Sequence, residues 1–439
     1  MDLANGILDG LTRILPLLKI GAGFAGMLVC IRLRLSLGLA VLAGAGLMGL
    51  LFGMGPAGLL DCLVAGLTNE KALYLGFMVA LILIMSDVLE RTGQTRRLMD
   101  SLGTRMRNRR LRLVFFPALI GLLPMPGGAV FSCPMVAGMA EPMHLSPLRR
   151  VVLNYWFRHV WEMAWPLYPG LLLTASLSGV PLMHLVAFTL PGVALTLLLG
   201  WIFFLRPGVL PLPPEPAADQ DAPPPPKAPW SRIVLDGLPF ELAILGAIGL
   251  EMAQTLWFPR LPFELAVSAA LALATLVALG QNRVGPAAIG RILMRRGLWT
   301  MVLVVASVFV FQAVLLRTGA IEQLSRLAGG DLALFTSAIL LPWLAGMVSG
   351  ISVAYVGASF PLLLGLIHQM GLESQLLPLL ALGIFSGFTG VMASPLHVCF
   401  VLTCQYFHVD LGRAWRAVVL PCACIFCAGV AYHFLLRAF

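Results

Sequence analysis

Arg158, His159 and Glu162 fall within about a turn and a half of one another if the run Asn154-Tyr155-Trp156-Phe157-Arg158-His159-Val160-Trp161-Glu162 is helical. A guanidinium is a permanent planar fork that pairs with carboxylates and phosphates. An imidazole changes charge near neutral pH, and a carboxylate can carry a proton or hold a cation. Arg158 therefore reads as an anion partner, with His159 or Glu162 as proton carrier. A structural Arg158-Glu162 pair at i, i+4 that steadies the helix is the competing reading. His397 is a further candidate ligand or proton group. It occupies the same place in Met392-Ala393-Ser394-Pro395-Leu396-His397 that Tyr168 occupies in Met163-Ala164-Trp165-Pro166-Leu167-Tyr168. Ser394, Tyr168 and Thr389 join the candidate set, Thr389 on the side of ion coupling together with Glu162, His159 and His397.

All these groups lie in apolar surroundings, and ionisable side chains at such places are functional candidates by default. Asp87, Lys19, Asp236, Glu241 and Glu251 fall near the ends of other apolar runs, where pairing or snorkelling explains them. The chain has 439 residues, 59% hydrophobic and 11% charged, a balance that excludes a soluble domain. Apolar runs of about 20 residues, the length needed to cross a bilayer, recur throughout. The first, about 10–30, lacks a basic start and a cleavage site and reads as a retained span. The net charge of +9 sits in short loops, where it reports orientation in a membrane and not nucleic acid. The eight cysteines lie almost all in apolar stretches, so disulfides are not expected. Cys422, Cys424 and Cys427 read as packing residues of a span, and no metal is assigned.

Two segments cannot continue as helices. Pro124-Met125-Pro126-Gly127-Gly128 must turn, and the arms on either side, about 13 residues, reach only about 20 Å. The chain then returns midway through the membrane, where irregular backbone survives only around a polar cavity. Ser132 lies just beyond this turn, and Ser349, Gly350 and Ser352 sit at equivalent depth in a second hairpin. The prolines of 161–169 and 389–397 are expected to unwind two further spans. That frees carbonyls for a cation and presents helix N-termini to an anion. Pro124, Met125, Pro126, Gly127, Gly128, Ser132, Arg158, His159, Tyr168, Ser349, Gly350, Ser352, Ser394 and His397 are the candidate substrate-binding residues.

Internal repetition organises these pieces. Gly55-Pro56-Ala57 returns as Gly285-Pro286-Ala287, Arg91-Thr92-Gly93 as Arg317-Thr318-Gly319, and Met-Ala-x-Pro-Leu at 163–167 returns at 392–396, in the same order and at nearly constant spacing. A Pro-rich stretch, Pro211 to Trp230, separates the copies. Each half reads as spans and a hairpin: 10–30, 35–54, 71–92, hairpin 112–140, 148–177 and 182–206, then 234–257, 261–281, 298–317, hairpin 332–367, 376–406 and 413–437. A hairpin adds no crossing, so each half crosses five times and the second lies upside down relative to the first. Most Lys and Arg then fall on the linker side, among them Arg32, Arg34, the cluster Arg91 to Arg112, Arg149, Arg150 and Arg206. By that bias the linker is cytoplasmic and both termini are periplasmic, in a bacterial inner membrane.

The runs Pro117 to Pro134, Asn154 to Glu162 and Ser394 to Cys399 resemble a bacterial and archaeal membrane family, domain of unknown function 401, over nearly the whole chain. More distantly the architecture is similar to the ion-transporter superfamily of dicarboxylate, citrate, gluconate and arsenite carriers. That resemblance implies a homodimer whose hairpins and broken helices move as a transport domain against a fixed scaffold. The first repeat, 1–207, would divide into scaffold 1–111 and transport part 112–207. The second, 232–439, would divide into scaffold 232–331 and transport part 332–439, with 208–231 as linker. The Ser-Asn-Thr hairpin signature of the dicarboxylate and citrate carriers is replaced by Pro-Met-Pro-Gly-Gly, which argues against their substrates and their sodium site.

The fold expected is thus all-α and polytopic, two inverted repeats each of five transmembrane helices plus one re-entrant hairpin. The function expected is cation-coupled symport, with H⁺ or Na⁺, of a small anionic solute by an elevator mechanism. The partners are that solute, the lipid bilayer and a second copy of the chain, and no cofactor beyond the coupling ion is expected. A sodium/proton antiporter is the alternative. An intramembrane enzyme is a more distant one, since neither Gly-x-Ser-x-Gly nor His-Glu-x-x-His is present.

Overall fold

The computed structural model describes residues 2–106, 108–123, 128–211, 227–258, 261–327 and 331–438. Among them every regular element is helical. The first half runs α1 (Asp2–Arg32), α2 (Leu37–Leu51), α3 (Pro56–Leu67), α4 (Glu70–Arg91), α5 (Gln94–Gly103), α6 (Arg109–Gly121), α7 (Ala129–Ala140), α8 (Pro147–Arg158), α9 (Pro169–Ser178) and α10 (Leu182–Gly200). A π-helical turn, Trp201–Leu205, extends α10. The second half runs α11 (Trp230–Trp257), α12 (Phe263–Gln281), α13 (Pro286–Leu293), α14 (Arg296–Arg317), α15 (Ala320–Leu327), α16 (Asp331–Ser349), α17 (Ser352–Gln369), α18 (Leu376–Met392), α19 (Val398–Tyr406) and α20 (Leu411–Arg437).

Nine of the described helices are long and apolar enough to cross a membrane, which makes this a multi-pass membrane protein. The expected spans 35–54, 71–92, 261–281 and 298–317 coincide within a few residues with α2, α4, α12 and α14.

The repeated motifs prove to be helix punctuation. Gly55-Pro56 and Gly285-Pro286 start α3 and α13, with Pro at the first helical position, where its fixed φ suits the helix and its missing N–H has no partner to lose. Both short helices lie between the spans expected from sequence, α3 between 35–54 and 71–92 and α13 between 261–281 and 298–317. Arg-Thr-Gly ends α4 and α14 in the same way: Thr92 and Thr318 donate to the carbonyls of Val88 and Val314, each at 2.8 Å. Gly93 and Gly319 then take left-handed φ of 69° and 63°, which a residue with a Cβ adopts at a cost. The Arg-rich stretch after Gly93 is not a loop. It folds as α5, with Leu98 and Met99 buried, and Arg97 reaches Asp236 on α11 at 3.4 Å.

Packing between the halves is reciprocal. α2 packs on α14 and α4 on α12; α9 on α17 and α7 on α19; α5 on α11 and α1 on α15; α10 on α18 and α8 on α20. The two hairpins are unequal. α6 and α7 have 13 and 12 residues, about 20 and 18 Å, too short for a crossing. The turn between them, with Pro124, Met125, Pro126 and Gly127, lies outside the described residues, as does most of the Pro-rich linker. α16 and α17 have 19 and 18 residues, joined through Gly350 and Ile351, with Gly350 at φ 64°.

α17 and α18 form the centre. In their apolar windows 83% of residues are buried, against 22% in α1 and 33% in α11 and α20, whose exposed Leu, Phe and Trp side chains suit lipid. Outside that centre, Asp87 pairs with Arg91 at 2.7 Å and with Arg295, and Lys19 stands over the Phe52 ring.

Candidate functional site

Two breaks build the site. The first, between α8 and α9, runs from His159 to Tyr168, longer than unwinding at a proline requires. α8 ends at Arg158, so Arg158 and Glu162 are not one turn apart on a helix as the i, i+4 pairing needs. They face one cavity from either side of a bend.

The side chains of this break cap α6. A helix end leaves carbonyls without partners, and here Trp161 Nε1 donates to Ala118 at 2.9 Å, Tyr168 Oη to Gly121 at 2.7 Å and Trp165 Nε1 to Leu122 at 3.0 Å. Arg158 reaches the Leu123 carbonyl at 3.5 Å. Gly121 is required by proximity: a Cβ there would lie 2.2 Å from the Arg158 carbonyl oxygen.

The second break, 393–397, is held differently. Here α16 and the turn after it approach α18 and the break backbone to backbone. A Cβ on Gly350 would lie 2.7 Å from the Cα of His397, one on Gly346 2.5 Å from the Gly387 carbonyl oxygen, and one on Gly390 2.2 Å from that of Trp343. Ser394 Oγ donates to Met347 at 2.6 Å and Ser386 Oγ to Ile339 at 2.7 Å.

Between the breaks lies a cavity of about 90 Å³ lined by Arg158, His159, Glu162, Tyr168, Met301, Gly350, Ser352, His397 and Cys399. Three helices begin on it. Pro169 opens α9, Ser352 opens α17 and Val398 opens α19, each in contact with the cavity. The first amides of a helix have no carbonyl partner and carry the positive end of its dipole. Together with the buried Arg158 guanidinium, 2% exposed, they set positive ends opposite Glu162 in a pocket contributed by both halves.

Behind it stand three rings. Tyr155 and His159 have ring centroids 4.9 Å apart, Tyr155 and His397 5.3 Å, and the two imidazoles 4.6 Å. Tyr155 Oη lies 3.0 Å from the Met392 carbonyl, to which it donates, and 2.9 Å from His397 Nδ1. Cys399 Sγ and one ring nitrogen of each imidazole lie within 4.8 Å of one another.

Of the candidates read from the sequence, Arg158, His159, Glu162, Tyr168, Gly350, Ser352 and His397 meet here. Ser132, Ser349, Ser394 and Thr389 do not line the cavity. Ser132 donates to Ala129, Ser349 to Ala345 and Thr389 to Ser386, the back-bonding that helical hydroxyls prefer. Thr389 faces a separate apolar groove with Trp343 and Trp415. Gly128 is buried at the N-terminus of α7, and Pro124, Met125, Pro126 and Gly127 are outside the described residues.

Tyr155 and Cys399 are the residues the sequence reading passed over. Their signal was the spacing Tyr155-x-x-x-His159 and His397-x-Cys399. Asn154 is another: fully buried, its amide donates to Ala129 on α7 at 3.2 Å and to Thr403 on α19 at 3.1 Å, joining the halves just below the rings.

Both breaks, both hairpins and all the cavity residues fall within the segments 22–212 and 263–435, over which the chain matches the family DUF401, protein of unknown function. The chain belongs to the DUF401 family. A comparison with curated proteins finds no match. Between its two segments the DUF401 match leaves out 213–262, which holds most of the Pro-rich linker and α11, and it takes in all the helices that shape the site.

Proposed function

We propose that this DUF401 protein is a secondary transporter of a small anionic solute, coupled to protons or sodium. The observation that carries this is the convergence of three helix N-termini and Arg158 on one buried cavity whose walls come from both halves. Amide dipoles and a guanidinium together favour an anion, and His159, His397 and Glu162 beside them are groups that can bind or release a proton as it comes and goes.

Alternating access follows from the same reading. The reciprocal packing of the halves supports two inverted repeats. The hairpins and breaks, 112–207 and 332–439, would move as the transport part against 1–111 and 232–331 in an elevator mechanism. A homodimer in a bacterial inner membrane, with cytoplasmic linker and periplasmic termini, completes the proposal. The Arg and Lys distribution supports the orientation, and labelling of single cysteines introduced at 223 and near the C-terminus tests it. Periplasmic labelling at 223 would sink the inverted arrangement. Glu162 on the cavity wall supports a sodium/proton antiporter as second reading.

The deciding experiment is a thermal-shift series on purified protein with organic acids, inorganic anions and sodium. A ligand at 100 times its Kd stabilises by about 2.7 kcal/mol. Anion-dependent stabilisation that vanishes in Arg158→Gln supports the anion reading, and equal shifts in both proteins would refute it. Sodium-dependent shifts that need Glu162 and no anion would favour the antiporter.

A further inference from the structure

We propose that His159, His397 and Cys399 form a three-ligand site for a soft divalent metal ion of the zinc class, its remaining coordination position facing the cavity. This goes beyond the anion reading and does not depend on it. One ligand atom from each of the three residues lies within 4.8 Å of the other two, and all three residues are buried.

The surroundings fix the protons. His159 Nδ1 lies 2.7 Å from the Tyr155 carbonyl oxygen, which can only accept, so the ring proton is on Nδ1 and Nε2 carries a lone pair. His397 Nδ1 lies 3.3 Å from the Val391 carbonyl and 2.9 Å from Tyr155 Oη. The phenol's own proton is directed at the Met392 carbonyl, so this ring also keeps its proton on Nδ1. With both Nδ1 positions engaged, the two Nε2 lone pairs are left for the thiol or a cation, and a single S–H can serve only one nitrogen at a time. A cation bound to all three satisfies the set.

Carbonyls that orient ligating imidazoles through Nδ1–H are the usual outer shell of such sites. Thiolate with imidazole selects zinc-class ions over sodium, magnesium or calcium. The ligand atoms lie within 4.8 Å of one another, and the edges of a zinc tetrahedron are roughly 3.3–3.6 Å from Zn–N and Zn–S bond lengths, a difference that side-chain rotation closes. On binding, the S–H bond breaks and a metal–sulfur bond forms, M²⁺ + Cys–SH giving Cys–S–M⁺ + H⁺, the proton leaving to solvent through the cavity. Arg158 lines the same cavity as Cys399 and would hold an anion at the open position.

The test is titration of the full-length, reduced, chelator-treated protein in detergent with Co²⁺ and Zn²⁺. Cobalt should bind with a thiolate-to-metal charge-transfer band that Zn²⁺ displaces. Replacing Cys422, Cys424 and Cys427 together by Ser should keep the band, and Cys399→Ser should remove it. Tyr155→Phe, which takes away one acceptor of the His397 Nδ1–H, should keep the band with Co²⁺ affinity weaker by about 10-fold. Should Cys399→Ser fail to fold, His397→Asn answers the same question through loss of one-to-one stoichiometry. Absence of the band in the wild type, or its survival in Cys399→Ser, overturns the proposal. Anion thermal shifts on the chelator-treated protein score the transport reading separately, so either can fail alone.

Discussion

The two hairpin-and-break units solve one problem with different emphasis. In the first, one close backbone approach, Gly121 to the Arg158 carbonyl, is joined by long side chains: Trp161, Trp165, Tyr168 and Arg158 stretch to the carbonyls of α6 and just beyond its end. In the second, glycines on α16 and α18 bring the backbones themselves together, and two serine hydroxyls suffice for the rest. Close approach of small residues is how helices associate without a hydrophobic drive between them. It also leaves less slack. A side-chain cap can lose one donor and keep its shape, whereas a backbone contact has no part that can be shortened. The second unit is therefore the stiffer, and the first the better placed to loosen.

Substitutions should separate the two. The largest effect is expected for Gly390→Val, whose Cβ would meet the Trp343 carbonyl oxygen at 2.2 Å; backbone cannot yield as a side chain does, so the loss should reach about 3 kcal/mol or more. Recovery of folded protein and its melting temperature measure this, and a wild-type melt would disprove the rigid contact.

In the first unit, Trp161→Phe and Trp165→Phe each remove one indole donor, costing about 1–3 kcal/mol where the carbonyl has no water to turn to. The same melts, with yield near wild type, would show that the aromatic cap is dispensable in part. A cost as large as that of Gly390→Val would erase the distinction between the units. Ser394→Ala, which withdraws the donor to Met347, should cost about 1 kcal/mol. The smallest expected quantity is the coupling between Trp161→Phe and Ser394→Ala, since they belong to different hairpins and share no partner; the double variant should be additive to within about 0.5 kcal/mol. Stronger coupling would mean that the two units respond as one body.

What the sequence discloses here is punctuation. Gly-Pro, Arg-Thr-Gly and Met-Ala-x-Pro-Leu are backbone instructions that act locally, so the breaks, the second hairpin and the span limits could be read without the fold. Arg158 and His397 were legible because charge and imidazole in apolar runs demand an explanation. Cys399 and Tyr155 were not, since each is ordinary alone and acquires a role only when α8 and α19 bring them beside His159 and His397. Thr389 and Ser132 lie off the cavity for the opposite reason: a hydroxyl near a break looks available, yet a helix offers its own i−3 carbonyl first. The short helices α3 and α13 were missed because a Gly-Pro start signals a helix only if the chain that follows has something to lie on. For α3 that support is α14, from the other half.

The cavity's division between the two halves also sets an order of events during synthesis. Arg158 and His159 leave the ribosome long before His397 and Cys399, and at about 5–20 residues per second the interval is roughly 10–50 s. Over that time the nascent first half holds a guanidinium and an imidazole whose facing wall does not yet exist. Hydrocarbon is a poor place for them to wait. The α6 carbonyls are already present, made before Arg158, and so are the indoles and phenol that follow it within ten residues. The first half can therefore close its own cap and keep its charged edge at a watered surface until α17 and α19 arrive to cover it.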